Sequence, residues 1–388
     1  MKVLVIGDSF SAEDRRAWSG TVYQAIKGLE RAGFEVDYLS ANRDYKQTFW
    51  NKVVCTYWLK VPSIFGKQIR MDESLYNVWR YKQTLDNYDY SPYDVVFVPT
   101  YISAVFALPK NIKAKIVHLT DATIDSLFGY YTEFSNLWFH NYWEAHYIGK
   151  NAFLRSDLII ASSNWCKVNA IKDFGCDPEK IAVVEFGANI DMTDIPAQEK
   201  ELDGKEHLNI YWSGVNWNRK GGDIAFACCE ELINQGYDVT FNITGMKQLP
   251  DEVKKKSFVR DYGFLNKNNP EEYKLLISIM RSQDLFLFPS KAECSSIALC
   301  EANGFGLPCF VFDTGGIANY VVNGKNGYML PLSADGKSFA HRIILSINNK
   351  ELNKLSAGAV RHFKEHLNWN TWSLMVGDLI KVLMGKNG

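Results

Sequence analysis

A chain of 388 residues is long for one hydrophobic core and sufficient for two domains of ordinary size. Its composition, 47% hydrophobic and 22% charged, is that of a globular protein, and 43 Lys and Arg against 44 Asp and Glu leave a formal net charge of −1. That balance excludes non-specific nucleic-acid binding through bulk electrostatics, so any anion site has to be built locally.

The first residues, Met1-Lys-Val-Leu-Val-Ile-Gly7, form too short an apolar run for a signal peptide and read as a buried strand over Lys2–Ile6. A helix over Gly20–Ala32 and a strand over Glu35–Leu39 follow. Residues 45–71 hold five bases (Lys46, Lys52, Lys60, Lys67, Arg70) and no acid, interleaved with Tyr45, Phe49, Trp50, Tyr57, Trp58 and Phe65. Such a mixture suits a membrane interface or a sugar platform, and equally a surface helical hairpin. Strands are expected at Asp94–Pro99 and Lys115–Leu119, the second running into Val117-His-Leu-Thr-Asp-Ala-Thr123, which sets a histidine and a carboxylate at a strand end. A structural role is the default for such a histidine. Aromatic residues between Phe128 and Tyr147, among them Tyr130, Tyr131, Trp138 and Trp143, can wall a cleft or fill a core.

Further strands at Asp157–Ala161 and Ile181–Val184, separated by a helix capped at Ser162 or Ser163, complete an alternation that implies a doubly wound parallel sheet. From Gly187 to His207 the chain turns polar, with Pro196 and a charged run, the composition of an inter-domain linker. A second alternating set has strands at Leu208–Ser213, Asp238–Thr244, Leu285–Phe288 and Cys309–Phe312, and an amphipathic helix closes the chain at Thr371–Leu383. Two Rossmann-like domains result, 1–186 with 370–388, and 187–369. The eight cysteines show no Cys-x-x-Cys spacing and read as buried, reduced, cytosolic thiols. No stretch approaches the ~20 apolar residues of a membrane span.

Two windows carry chemistry. After the strand ending at Gly214 comes Val215-Asn-Trp-Asn-Arg-Lys-Gly-Gly222, a strand-to-helix turn in which Arg219 and Lys220 can neutralise a diphosphate while glycines let backbone approach. From Phe288 to Pro308, the strand stopped by Pro289 leads to Glu293, then to Ser295 and Ser296 as N-cap residues of a helix reaching about Phe305, with Ile297 in its first turn and Glu301 further along. Free N–H groups of such a turn favour an anion, and carboxylates beside it are suited to sugar hydroxyls or a ribose diol. Glu293 and Glu301 stand eight apart, a spacing that chance alone would give about five times in this chain, so the surrounding window is what makes the pair specific.

That window, a Glu, seven residues and a Glu between a strand ending in Pro-Ser and a Gly-x-Pro turn, resembles the retaining family 4 glycosyltransferases of GT-B fold. The resemblance covers most of the chain and is strongest from about Ser156 to Pro331. It implies two Rossmann-like domains facing a central cleft, with the C-terminal helix crossing back to the first. It also implies a nucleoside diphosphate sugar as co-substrate, bound by Gly214, Arg219, Lys220, Glu293, Ser295, Ser296, Ile297 and Glu301. Asn189 lies in Glu185-Phe-Gly-Ala-Asn189, which resembles the segment entering the cleft. Asp261-Tyr-Gly-Phe-Leu265 holds the place of the base site, implicating Phe264 and Leu265. The loop Ser9–Gly20, with Gly20 opening the helix, would approach the leaving phosphate and the acceptor. Asp121 or His118 would support the donor sugar during a front-face displacement in which the leaving phosphate assists proton removal, with Glu293 as a third catalytic candidate. Departures are visible: Val215 stands where the family has arginine, Cys294-Ser-Ser replaces Gly-Phe-Gly, and Ala318 and Asn319 replace Pro and Glu in Thr314-Gly-Gly-Ile-Ala-Asn-Tyr.

Without an Asp-x-Asp or a His/Cys cluster, the resemblance implies metal-independent transfer to a glycan or lipid-linked acceptor in surface-polysaccharide or glycolipid assembly. The expected setting is the cytoplasm or the inner face of a membrane, with residues 45–71 as the peripheral contact. Two other readings compete. A nicotinamide-dependent dehydrogenase needs Gly-x-Gly-x-x-Gly after a strand, and Gly7-Asp-Ser-Phe-Ser has one glycine. A non-catalytic sugar-binding or scaffold protein on a degenerate GT-B fold would account for Val215 and Cys294-Ser-Ser.

Overall fold

The computed structural model describes residues 1–9, 11–14 and 17–385. Part of the Ser9–Gly20 loop singled out above, residues 10, 15 and 16, therefore lies outside the described residues. The chain divides into two units, Met1–Val184 with Trp372–Gly388, and Glu185–Thr371.

In the first unit six strands, β1 (Lys2–Gly7), β2 (Glu35–Ser40), β3 (Val95–Pro99), β4 (Lys115–Thr120), β5 (Leu158–Ala161) and β6 (Ile181–Val183), form a parallel sheet in the order β2-β1-β3-β4-β5-β6. Its central strands are buried throughout because helices cover both faces, which is why they read as unbroken apolar runs rather than alternations. The helix Thr21–Arg31 starts at Gly20, whose φ of 89° is a left-handed conformation that only glycine adopts without strain. Its Gly28 packs directly on the indole of Trp372, which is fully buried, and Arg31 donates to Ser373. The helix Trp369–Leu383 is thereby fastened to the first unit from Trp372 onward.

The segment between β2 and β3 departs from expectation. Residues 49–64 form one helix, capped by Thr48, rather than a hairpin, and Pro62 is its one buried residue. The following helix, Leu75–Leu85, does the packing through Val78, Tyr81 and Leu85.

The second unit repeats the design with β7 (His207–Ser213), β8 (Asp238–Thr244), β9 (Val259–Asp261), β10 (Leu285–Phe288), β11 (Cys309–Phe312) and β12 (Gly327–Leu330), all parallel in the order β12-β11-β10-β7-β8-β9. The short edge strands β9 and β12 were not expected from the sequence. The polar stretch after Gly187 is no free linker either: Ile190, Ile195 and Leu202 are buried, and Lys200 and Lys205 reach the Gln283 carbonyl and the Asp284 carboxylate at the start of β10.

A methyl group at Gly28 would stand 2.7 Å from the Trp372 ring. Gly28→Ala is therefore expected to destabilise the first unit by about 1–3 kcal/mol, the usual range for overpacking. An unchanged thermal midpoint would show that the C-terminal helix is not held there.

Candidate active site

In the second unit the chain leaves β7 in one direction toward β8 and β9, and returns on its other side to build β10, β11 and β12. The crevice beyond the carboxyl ends of β7 and β10 is thus the topological switch point, where open α/β sheets bind ligands. Two loops meet there, 214–221 after β7 and 289–296 after β10.

Both are fixed by backbone. Buried Trp212 donates its indole N–H to the Lys220 carbonyl at 3.1 Å, and the Lys291 amide donates to the Arg219 carbonyl at 2.8 Å. Gly221, with φ 68°, lies so close to the Pro289 carbonyl that an added Cβ would overlap it. Gly221, one of the two glycines of this turn, thereby brings the two loops together. A third loop joins through the Gly316 amide, which donates to the Glu293 carbonyl at 3.0 Å.

Within this frame Lys220 hydrogen-bonds the Glu293 carboxylate, Arg219 approaches the same oxygen at 3.6 Å, and the Ser290 hydroxyl donates to it at 2.7 Å. Glu293 is 4% exposed, and the Lys220 ammonium sits 4.9 Å from the Phe288 ring centroid. Burial lowers the pKa of Lys220, while Glu293 works against that shift. Gly214 is where it must be, since a Cβ there would press on the Lys220 side chain and the Trp212 ring.

The helix after Glu293 runs from Ile297 to Gly304, as expected, with Phe305 at its C-cap. Ser296 holds the N-cap position but caps nothing with its side chain; its ψ of 105° contrasts with 159° at Ser163, which does cap its helix at Cys166. Ser295 is half-buried beside the Tyr320 hydroxyl, and Ile297 is half-buried in the first turn. The first-turn amides therefore lack a serine cap.

Glu301, 8% exposed, accepts a hydrogen bond from Lys267 at 2.5 Å; Lys267 also lies 3.4 Å from the Asn189 carbonyl, and the Asn189 side chain receives the Trp369 indole N–H at 3.1 Å. Asn189 and Glu301 are thus joined through Lys267, a residue that the sequence reading missed because a lone lysine in the run Asn266-Lys-Asn-Asn269 carries no signal. The hydroxyls of Tyr211, Thr244 and Ser213, hydrogen-bonded in series at 2.6 and 3.1 Å, were missed as well. Phe264 is 53% exposed and Leu265 half-buried, on a turn opened by Gly263 at φ 68°. Among the described residues no three His, Cys, Asp or Glu side chains group as a metal site.

Gly20, His118 and Asp121 belong to the first unit. Asp121 lies half-buried in the bend after β4. His118 does not meet the expectation of a sugar-supporting residue. Its ring is fully buried within β4, edge-on to Phe153 at 5.2 Å, with Nδ1 3.0 Å from the Val98 carbonyl and Nε2 unpartnered. A side chain enclosed in the sheet's own core has no face left for a ligand.

Two parallel sheets of this build, each with its crevice at a switch point, define the GT-B class of α/β proteins. The chain belongs to the group 1 glycosyltransferases: residues 196–360 match the family described as Glycosyl transferases group 1, and residues 20–191 match Glycosyltransferase Family 4. It is 27% identical over 214 residues to a UDP-Gal:alpha-D-GlcNAc-diphosphoundecaprenol alpha-1,3-galactosyltransferase of Escherichia coli, covering 51% of this chain and 53% of that one. It is 24% identical over 262 residues to the capsular polysaccharide biosynthesis glycosyltransferase CapM of Staphylococcus aureus, 63% of this chain and 68% of that one. The chain spans about half the length of the first curated relatives it matches. Among solved structures, HepE of Anabaena in complex with UDP shares the fold with a TM-score of 0.65 at 15% identity, over 98% of this chain and all of that one.

Burial holds the His118 pKa at about 4, below the ordinary 6.5. The folded state therefore binds this proton less readily than the unfolded chain, so the stability contributed by the neutral ring is whole above pH 6.5 and is lost as pH falls toward 4. The loss amounts to about 3 kcal/mol over that window. Urea unfolding of His118→Phe should show a shallower decline between pH 6.5 and 4 than the parent; parallel declines would mean that the ring is not sealed.

Proposed function

We propose that the chain transfers a sugar from a nucleoside diphosphate sugar to a hydroxyl of a glycan or lipid-linked acceptor, with retention of anomeric configuration and without a metal ion. The observation that carries this reading is the half-buried cation at the switch point: Lys220, locked by Glu293 and backed by Arg219, beside a helix start whose amides lack a serine cap. A leaving diphosphate needs positive charge aimed at its oxygens before reaction, and charges preorganised in a dry crevice supply more than mobile ones in water. Lys220, Arg219 and the first-turn amides near Ile297 offer charge of the sign that a divalent ion would otherwise bring. Glu301, oriented by Lys267, is suited to the ribose diol.

Asp121 is the remaining first-unit candidate for supporting the sugar, and with it the leaving phosphate would take the acceptor proton on the same face. The lipid-linked alternative for the acceptor is supported by the E. coli relative, whose name specifies UDP-Gal and a diphosphoundecaprenol-linked sugar. On this reading the transfer takes place at the cytoplasmic face of a membrane.

Lys220→Ala and Glu301→Ala are each expected to lower nucleotide-sugar turnover at least ~100-fold, the scale of losing one preorganised contact. Near-parental rates in both would end the site assignment. The donor is found by thermal shift against UDP-, GDP- and ADP-sugars, since a ligand at one hundred times its Kd adds about 2.7 kcal/mol of stability. With that donor, turnover should persist in EDTA and the product anomer should match the donor by NMR; loss in EDTA or an inverted anomer would refute the mechanism.

A further inference from the structure

The helix Phe49–Ile64 stands out of the first unit with its apolar side chains uncovered. Phe49, Trp50, Tyr57 and Ile64 are 73, 73, 68 and 78% exposed, and Phe65 beyond its end is 65% exposed. At about 100° per residue, Phe49, Trp50, Val53, Val54, Tyr57, Trp58 and Ile64 fall within one half of the helix circumference. The less exposed Asn51, Cys55 and Pro62 lie on the other side, which also carries Leu59 at 44% exposed, while Val61 is the half-buried position within the apolar half; the apolar half is thus the more exposed one. A second aromatic stripe continues the surface: Phe65 meets Trp138 at 5.7 Å, Trp138 meets Phe139 at 5.6 Å, and Trp58 meets His140 at 6.4 Å. Phe139 and Trp143, one turn apart on the helix Phe139–Arg155, are 69 and 58% exposed.

An uncovered apolar surface of this extent marks an interaction site. Its chemistry selects the occupant. Lys46, Lys52, Lys60 and Lys67 are all exposed, and no acid occurs from 45 to 71. A second copy docking through the same face would bring lysines against lysines, whereas anionic headgroups complement them. Trp and Tyr are the side chains that settle at a membrane–water boundary, and lysine stems can reach past them to the phosphates. At 16 residues the helix is too short to span a bilayer, and no helix among the described residues is long and apolar enough to do so.

We infer that the helix Phe49–Ile64, together with Phe65, Phe139 and Trp143, lies in the interface of an anionic lipid bilayer and carries the first unit onto it. The inference extends the reading of a lipid-linked acceptor, but its test uses neither donor nor acceptor, so the two stand or fall separately.

The whole protein is sedimented with vesicles of phosphatidylcholine alone and of phosphatidylcholine with phosphatidylglycerol. Pelleting is expected with the anionic vesicles and should weaken in high salt. The double variant Trp50→Glu with Tyr57→Glu, and separately Lys52→Glu with Lys60→Glu, should each lower vesicle partition about tenfold or more. All four positions are exposed, so thermal midpoints should stay at the parental value. Absence of pelleting, equal pelleting with neutral vesicles, or variants that partition as the parent does would overturn the inference. A parental dimer that the aromatic variant converts to monomer, without vesicle binding by either, would assign the surface to a second copy instead.

Discussion

The arrangement of the second unit depends on keeping a lysine charged where burial opposes it. Removing an ammonium from water costs several kcal/mol, and a carboxylate buried alone would cost as much. Lys220 and Glu293 offset one another, and Ser290 and Arg219 occupy further contacts around the same carboxylate oxygen. The consequence is geometric. Glu293 comes from the loop after β10 and Lys220 from the loop after β7, so neither charge is tolerable unless the loops hold together. The Gly221 approach to Pro289 and the Trp212 tether of the Lys220 carbonyl make that contact rigid. Stability and site construction are here one requirement, because the ion pair that closes the switch point also leaves a net positive charge facing it.

This explains how two departures from the family pattern are accommodated. Val215 is 67% exposed and takes no part in the charge cluster, while Arg219, four residues later, reaches Glu293 and the Ala292 carbonyl. Cys294 is buried behind the crevice, and the backbone through 294–296 still delivers the helix start. What the site requires of this turn is its amides, which no side chain supplies.

Legibility in the sequence followed burial. Leu285–Phe288 and Cys309–Phe312 were readable to the residue, since a strand enclosed on both faces must be apolar and must stop where the loop begins, and Asp238–Thr244 was equally so through the alternation of Val239, Phe241 and Ile243 with polar residues. β9 and β12 were not, because half-exposed edge strands of three or four residues are too short for a run or an alternation to stand out from the loops around them. The 187–207 stretch misled because its three buried anchors, Ile190, Ile195 and Leu202, are isolated among charges whose role, clamping Gln283 and Asp284, is a tertiary fact. In the site, Lys220, Arg219 and Glu293 were visible as residue types in a turn beside a strand end. Lys267 was not, since its partner Glu301 is thirty-four positions away and nothing local announces the pairing. His118 shows the converse: the structural role that is the default for a histidine at a strand end holds, because the helix carrying Phe153 seals the ring in the core, and the chemical role that the resemblance added does not.

The exposed helix fits the same logic from the opposite side. The crossover from β2 to β3 has to pass β1, and packing needs one helix to cover the sheet; Leu75–Leu85 supplies it, burying Val78, Tyr81 and Leu85. Residues 49–64 are then surplus to the fold, contributing a single buried residue, Pro62. A helix of that length is marginal by itself in water, so an amphipathic surface partner is what would give it a reason to persist. Where the fold asks least of the chain, the composition is most unlike a soluble surface, with tryptophan, tyrosine and phenylalanine outward and every formal charge positive from 45 to 71. Destabilising this helix should therefore leave the unit's core intact while removing its means of attachment.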